Sequence, residues 1–195
     1  MEKISYALGL SLGNNLLGSG VADLNVAELT TGIQDVLDKK QPKISYQEAQ
    51  EVINKYFEEL QGKAFEKNVS EGKAFLEANG KRGEVVTLKS GLQYEILKEG
   101  NGPIPKANNT VKVHYHGTLI DGTVFDSSVQ RGQPATFGVT QVISGWVEAL
   151  QLMPVGSKWK LFIPSNLAYG SQGAGQHIGP HTTLIFDVEL LGIEK

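Results

Sequence analysis

Large apolar residues recur at every fourth position near the start of the chain: Ile4, Leu8, Leu12 and Leu16. That is the spacing of one helix face. Ser5, Gly9 and Gly13 form a parallel stripe of small residues. Each glycine inside a helix costs roughly 1 kcal/mol relative to alanine. Close approach of two backbones along the stripe would offset that cost; a loose helix that tolerates glycine gives the same pattern. A second helix is expected from Asn25, with Glu28 as capping partner three residues on. It runs through Leu29, Ile33, Val36 and Leu37. Ser45-Tyr46-Gln47-Glu48 is a cleaner capping box. Tyr46, Ala49, Ile53, Tyr56 and Leu60 follow at helical spacing, and the pattern continues weakly through Phe65, Val69, Phe75 and Leu76 to Asn79-Gly80. No proline interrupts this run, about 45–79, so it predicts one helix about 50 Å long at 1.5 Å per residue. Gly62 and Gly72 are the points where it could bend.

Beyond residue 80 the period changes to two. Leu92, Tyr94 and Ile96 alternate with polar neighbours, as do Val111, Val113 and Tyr115. Trp159, Leu161 and Ile163 alternate with Lys158, Lys160 and Phe162, and Leu184, Phe186, Val188 and Leu190 form a fourth run. These are strand patterns, punctuated by turn signals at Asp121-Gly122, Pro154-Val155-Gly156 and Gly179-Pro180. One helical stretch intervenes, Ser144 to Leu150, with Ser144 as its expected cap. The chain therefore reads as α+β: an all-helical segment over 1–80, then a curved antiparallel sheet wrapped on one short helix over 84–195.

Composition sharpens this division. Of seven prolines, only Pro42 lies before residue 80. Residues 1–80 carry eight basic and twelve acidic residues, and the remainder ten and nine. A net charge of −3 gives no argument for nucleic acid or an anionic membrane. No apolar run is long enough to span a bilayer. The absence of cysteine excludes disulfides, thiolate catalysis and cysteine-ligated zinc. Met1-Glu2-Lys3-Ile4 lacks the apolar core of a secretory signal. The chain as written is expected in the cytoplasm, or in the periplasm or at the surface if a leader was removed.

Three helices with one so long cannot bury their apolar stripes alone. A homodimer through residues 1–80 is the expectation; a monomer whose helical hairpin folds back on the C-terminal domain is the alternative. In the second half, Val113 to Trp146 together with Ala168-Tyr169-Gly170 and Phe186-Asp187 brings Tyr115, Phe125, Val142, Ile143, Trp146, Tyr169 and Phe186 toward one apolar cleft. Asp126 is its single carboxylate. Such a pocket suits binding and distorting a bond without attacking it. Taken singly, the aromatic residues are also ordinary core residues, and Asp126 is an ordinary turn residue.

His114 and His116 lie on one strand face, with His177 and His181 downstream, but His114-x-His116 has no carboxylate or cysteine at ligand spacing and there is no histidine-rich tail, so no metal is expected; no cofactor is expected. Gly173-x-Gly175-x-x-x-Gly179 fails the spacing and context of a nucleotide-binding loop.

The second half resembles an FKBP-type peptidyl-prolyl cis-trans isomerase domain. Five separated motifs occur in family order: Val113-His114-Tyr115-x-Gly117, Asp121-Gly122-x-x-Phe125-Asp126-Ser127-Ser128, Val142-Ile143-x-Gly145-Trp146, Ala168-Tyr169-Gly170, and Phe186 to Leu191. The first half, through Ser5-Tyr6-Ala7-Leu8-Gly9-x-Ser11-x-Gly13, resembles the dimerisation segment of macrophage-infectivity-potentiator-like members. The resemblance implies catalytic roles for Tyr115, Phe125, Asp126, Trp146, Tyr169 and Phe186. It implies substrate contacts from Val142, Ile143, Ile178 and the position of Ala135, where many members carry a further aromatic wall residue. The glycine-rich loop Ser171 to His177 departs from the family in lacking a proline. Implied partners are proline-containing unfolded or nascent proteins, a second copy of the chain, and rapamycin-type macrolide inhibitors. A holdase-type chaperone, with isomerisation secondary, is the alternative function.

Overall fold

Three helices open the chain: α1 (Glu2–Gly18), α2 (Val26–Leu37) and α3 (Tyr46–Asn79). The structure, a computed structural model, describes residues 2–21 and 23–194. Met1 and Lys195, the outer ends of the two expected domain ranges, lie outside it. Helix α1 ends in a left-handed turn at Gly20 (φ +79°), where a Cβ would lie 2.8 Å from Leu60 Cδ2. Glycine is the residue that takes this conformation without strain. Asn25 caps α2, its side chain accepting from the amides of Ala27 and Glu28 at 3.0 and 3.2 Å. Ser45 caps α3 through the Glu48 amide at 3.1 Å, the forward half of the expected box.

Contacts divide the chain between Gly62 and Lys63, inside α3. Composition changes near residue 80, whereas this division falls earlier, because residues 63–79 of the helix pack on the sheet. In the first unit α1 buries none of its residues. Ile4, Tyr6, Leu8 and Leu10 are all exposed.

In the second unit the strands are β1 (Val85–Thr87), β2 (Gln93–Lys98), β3 (Thr110–Thr118), β4 (Val124–Ser127), β5 (Ala135–Gly138), β6 (Lys158–Ile163) and β7 (Leu184–Glu194). They form one antiparallel sheet in the order β1-β2-β6-β7-β3-β4, with β5 also paired to β3. Pairing shifts register at Ile96/Lys98, Lys112/Val113 and Gly117/Thr118. Such bulges bend a sheet and re-aim side chains. The concave face carries Val111, Val113, Tyr115, Trp159, Leu161, Ile163, Leu184, Phe186 and Val188, all buried. Helix α4 (Ser144–Leu150) fills it with Trp146, Ala149 and Leu150. Ser144 is not its cap. Ile143 holds that position without a side-chain bond, and its carbonyl accepts from the amides of Trp146 and Val147.

The convex face holds a surprise for period-two reading. Phe162 points away from the core, yet it is only 3% exposed. Phe75 of α3 covers it, with ring centroids 5.9 Å apart. Asn79 and Gln93, both buried, bond side chain to side chain at 2.8 Å, and Gln93 Nε2 also donates to the Leu76 carbonyl. Helix α3 runs unbroken through Gly72. A Cβ there would lie 2.5 Å from Thr183 Oγ1, so glycine at this position permits close approach.

Candidate active site

Tyr115 faces the core because it sits in phase with Val111 and Val113 on β3, the strand flanked on one side by β7 and on the other by β4 and β5 in turn. The loop where β3 changes partner, residues 128–134, carries Arg131. The bulge between β3 and β4 leaves Phe125 unpaired in the ladder and turns its ring edge-on to Phe186, at 5.3 Å and 86°. Gly117 makes room for both rings: a Cβ would stand 2.7 Å from Phe125 and 2.8 Å from Phe186. Trp146, from the first turn of α4, stands edge-on to Tyr115 at 5.5 Å and to Phe186 at 5.2 Å. Edge-to-face packing is the favoured geometry for aromatic groups.

These side chains line a cavity of about 640 Å³. Val142 and Ile143 enter from the loop before α4, Ile178 from the glycine-rich loop, and Tyr169, 40% exposed, stands at the rim. Among the described residues the Ile143 amide has no hydrogen-bond partner. It is therefore a free donor beside the cavity.

Asp126 is the only carboxylate in the lining. Tyr115 donates its hydroxyl to Oδ2 at 2.5 Å. Arg131 donates to Oδ1 and, through its other terminal nitrogen, to the Tyr115 hydroxyl at 2.8 Å. Its guanidinium also lies 5.5 Å from the centre of the Tyr115 ring. Burial pushes the Asp126 carboxyl up, but the bonds from Tyr115 and Arg131 outweigh it and hold the group below the usual carboxylate range. Burial, reinforced by the bond to Asp126, raises the Tyr115 phenol. The carboxylate is thus ionised at neutral pH and already committed to two donors, which leaves it poorly placed as a base or nucleophile.

The chain is similar to proteins of known family over its whole length. The sequence pattern of the domain described as amino terminal to FKBP-type peptidyl-prolyl isomerase matches residues 1–96, and that of the isomerase itself residues 102–191. The FKBP-type 22 kDa peptidyl-prolyl cis-trans isomerase of Escherichia coli is 47% identical, across 97% of this chain and 93% of its own. The chain belongs to the FKBP-type peptidyl-prolyl cis-trans isomerases. Outer membrane protein MIP of Legionella longbeachae is 45% identical, across all of this chain and 86% of its own. The crystal structure of FkpA from Escherichia coli superposes with a TM-score of 0.75 at 38% identity, over 98% of this chain and 95% of that one.

Within this FKBP fold, Tyr115, Phe125, Asp126, Val142, Ile143, Trp146, Tyr169, Ile178 and Phe186 come together around one cavity. Ala135 does not line it. Ala135 lies opposite Val113 on β5 and packs against the core, and the aromatic wall comes from Phe137, two residues on along the same strand face. The Phe137 ring stands 6.0 Å from both Tyr115 and Trp146. Sequence reasoning missed Phe137, although its period-two relation to Ala135 could have found it. It also missed Arg131, whose place depends on a loop that carries no periodicity, and the rim residues Gln141, Gln176 and His177. His114 and His116 bond through Nδ1 to the Ser128 and Ser127 hydroxyls at 3.1 and 2.9 Å. Among the described residues no helix is long and apolar enough to cross a membrane.

Proposed function

We propose that the cavity rotates Xaa–Pro bonds of protein clients by desolvating and distorting the prolyl amide, with no covalent step. Amide resonance sets a rotation barrier of about 18–20 kcal/mol. It also places partial negative charge on oxygen, a charge that water stabilises. An apolar cleft withdraws that stabilisation from the planar ground state, while the twisted state has already lost the resonance. Trp146 takes the prolyl ring, the Ile143 amide holds a substrate carbonyl, and Asp126 and Tyr169 orient the backbone around the twisting bond. The observation that carries this reading is an aromatic cavity whose one carboxylate is already committed to Tyr115 and Arg131. Such a site can bind and twist a substrate but has little means of attacking it. The test is isomerisation of a proline peptide with and without a rapamycin-type macrolide. Acceleration that the macrolide abolishes is expected; a rate equal to that of buffer alone would reject the assignment.

The protein acts as a homodimer through residues 1–80, assisting the folding of proline-containing chains. Support comes from the exposed apolar residues of α1 and from Gly9 and Gly13, where a Cβ would meet nothing within 4 Å. Among the described residues nothing lies against Gly9 or Gly13, which leaves room for a close neighbour. Light scattering should give twice the chain mass. Leu8→Glu, which places a charge on this surface, should give the single chain mass, with short-peptide activity kept and refolding of whole proteins impaired. A native chain that scatters as a monomer would contradict the dimer.

A further inference from the structure

Helix α3 touches the loop that leads out of the cavity wall at three points on one face. The Phe65 ring stands edge-on to His181, with centroids 4.5 Å apart at 82°. Asn68 Nδ2 donates to the Pro180 carbonyl at 2.8 Å and to Thr182 Oγ1 at 3.2 Å. Gly72 closes on Thr183. The spacing 65, 68, 72 is that of a single helical stripe. Its target is a strained segment: His181 has φ +55°, a left-handed conformation uncommon for a residue with a side chain. Backbone held in such a state persists only where its surroundings over-determine it. Besides the contacts from α3, the His181 amide donates to the Gly170 carbonyl at 2.8 Å. Gly170 follows Tyr169, and Ile178 lies three residues before His181. Both Tyr169 and Ile178 line the cavity.

We propose that Phe65 and Asn68 of α3 are positioning residues of the isomerase. They hold 179–183 in its strained path and so set where Tyr169 and Ile178 stand. The proposal rests on the cavity being the isomerase site. It makes the stretch of α3 that packs on the sheet unit a working part of the active site.

The test uses the full chain. Asn68→Asp keeps the shape of the side chain but removes the donated bonds and turns an oxygen toward the Pro180 carbonyl. Expected is a fall of about tenfold in kcat/KM, since a displacement on the order of 1 Å is enough to impair catalysis. The ratio of rates between peptides with small and bulky residues before proline should also change. Loss of folded enzyme alone would lower all peptides equally. Thr182→Val removes one of these bonds from the loop side, together with the bond that Thr182 donates to the Gly179 carbonyl, and a shift of the Ile178 methyl resonance reports the wall without any substrate. Ser70→Ala, whose hydroxyl bonds only the Lys67 carbonyl, should leave every readout unchanged. An unchanged peptide ratio together with an unmoved Ile178 resonance in both variants would overturn the proposal. A native chain with no isomerase activity would reject the site assignment instead, leaving the Ile178 resonance to decide the strut.

Discussion

Replacing Asp126 with leucine is expected to lower kcat/KM for proline peptides by about 10- to 100-fold and to lower stability by about 1–3 kcal/mol, since the Tyr115 hydroxyl loses its charged partner. The two effects draw on different contacts. As a structural ion pair, Asp126 and Arg131 are weak: their side chains are 45% and 51% exposed, and pairs of that kind contribute about 0–1 kcal/mol. As a substrate contact the carboxylate is worth more. A hydrogen bond to a charged group contributes about 1.5–3 kcal/mol, and each 1.4 kcal/mol is a factor of ten in rate. The exchange also releases the Tyr115 hydroxyl and Arg131 into the cavity mouth. The pH dependence has a definite sign. The folded pKa of Asp126 is lowered, so its contribution is complete above the unfolded carboxylate value and is lost as pH falls through the folded one. Titration of Asp126 therefore leaves activity level across neutrality and reduces it only in acid. Denaturant melts and peptide kinetics on one preparation separate the effects; equal activity of native and variant would remove Asp126 from the site.

The second large effect concerns where the isomerase unit begins. A chain starting at residue 84 should be less stable than one starting at Lys63 by about 4–6 kcal/mol. Uncovering Phe162 costs about 1.5–3 kcal/mol. Losing the bonds of Asn79, Leu76 and Asn68 to the sheet and its loop costs about 1 kcal/mol each. Set against a domain stability of about 5–15 kcal/mol, the shorter chain is marginal. With a urea dependence of about 1–3 kcal/mol per molar, the unfolding midpoint should fall by about 1.3 to 6 M. Coincident melts would show that residues 63–79 lie on the sheet without supporting it.

That boundary was the hardest feature to read from the sequence. The change from period four to period two is real, and proline usage changes with it. Yet a sheet residue such as Phe162 looks outward-facing until the helix that covers it is known. Gly72 looks like a hinge until Thr183 is seen against it. Helix starts were legible because Asn25 and Ser45 act through their own next few residues. Two walls of the cavity were legible because Tyr115 and Phe186 fall at alternate positions on long strands; the walls from α4 and the loops were reached through the family motifs. Arg131 was not, since it comes from the loop where β3 changes partners, and β1, β4 and β5 are too short to show a period. Ala135 marks the limit from the other side: analogy placed a wall residue there, and packing moved the wall to Phe137.

The position of β7 has a consequence for how the enzyme is made. It is the last of the strands to leave the ribosome, and it lies in the middle of the sheet, between β6 and β3. Until it arrives, β3 and β6 each present an open edge, and Phe186 is missing from the cavity. Pairings between segments so distant in sequence form slowly. The isomerase domain therefore has no complete active site until β7 has paired with both neighbours.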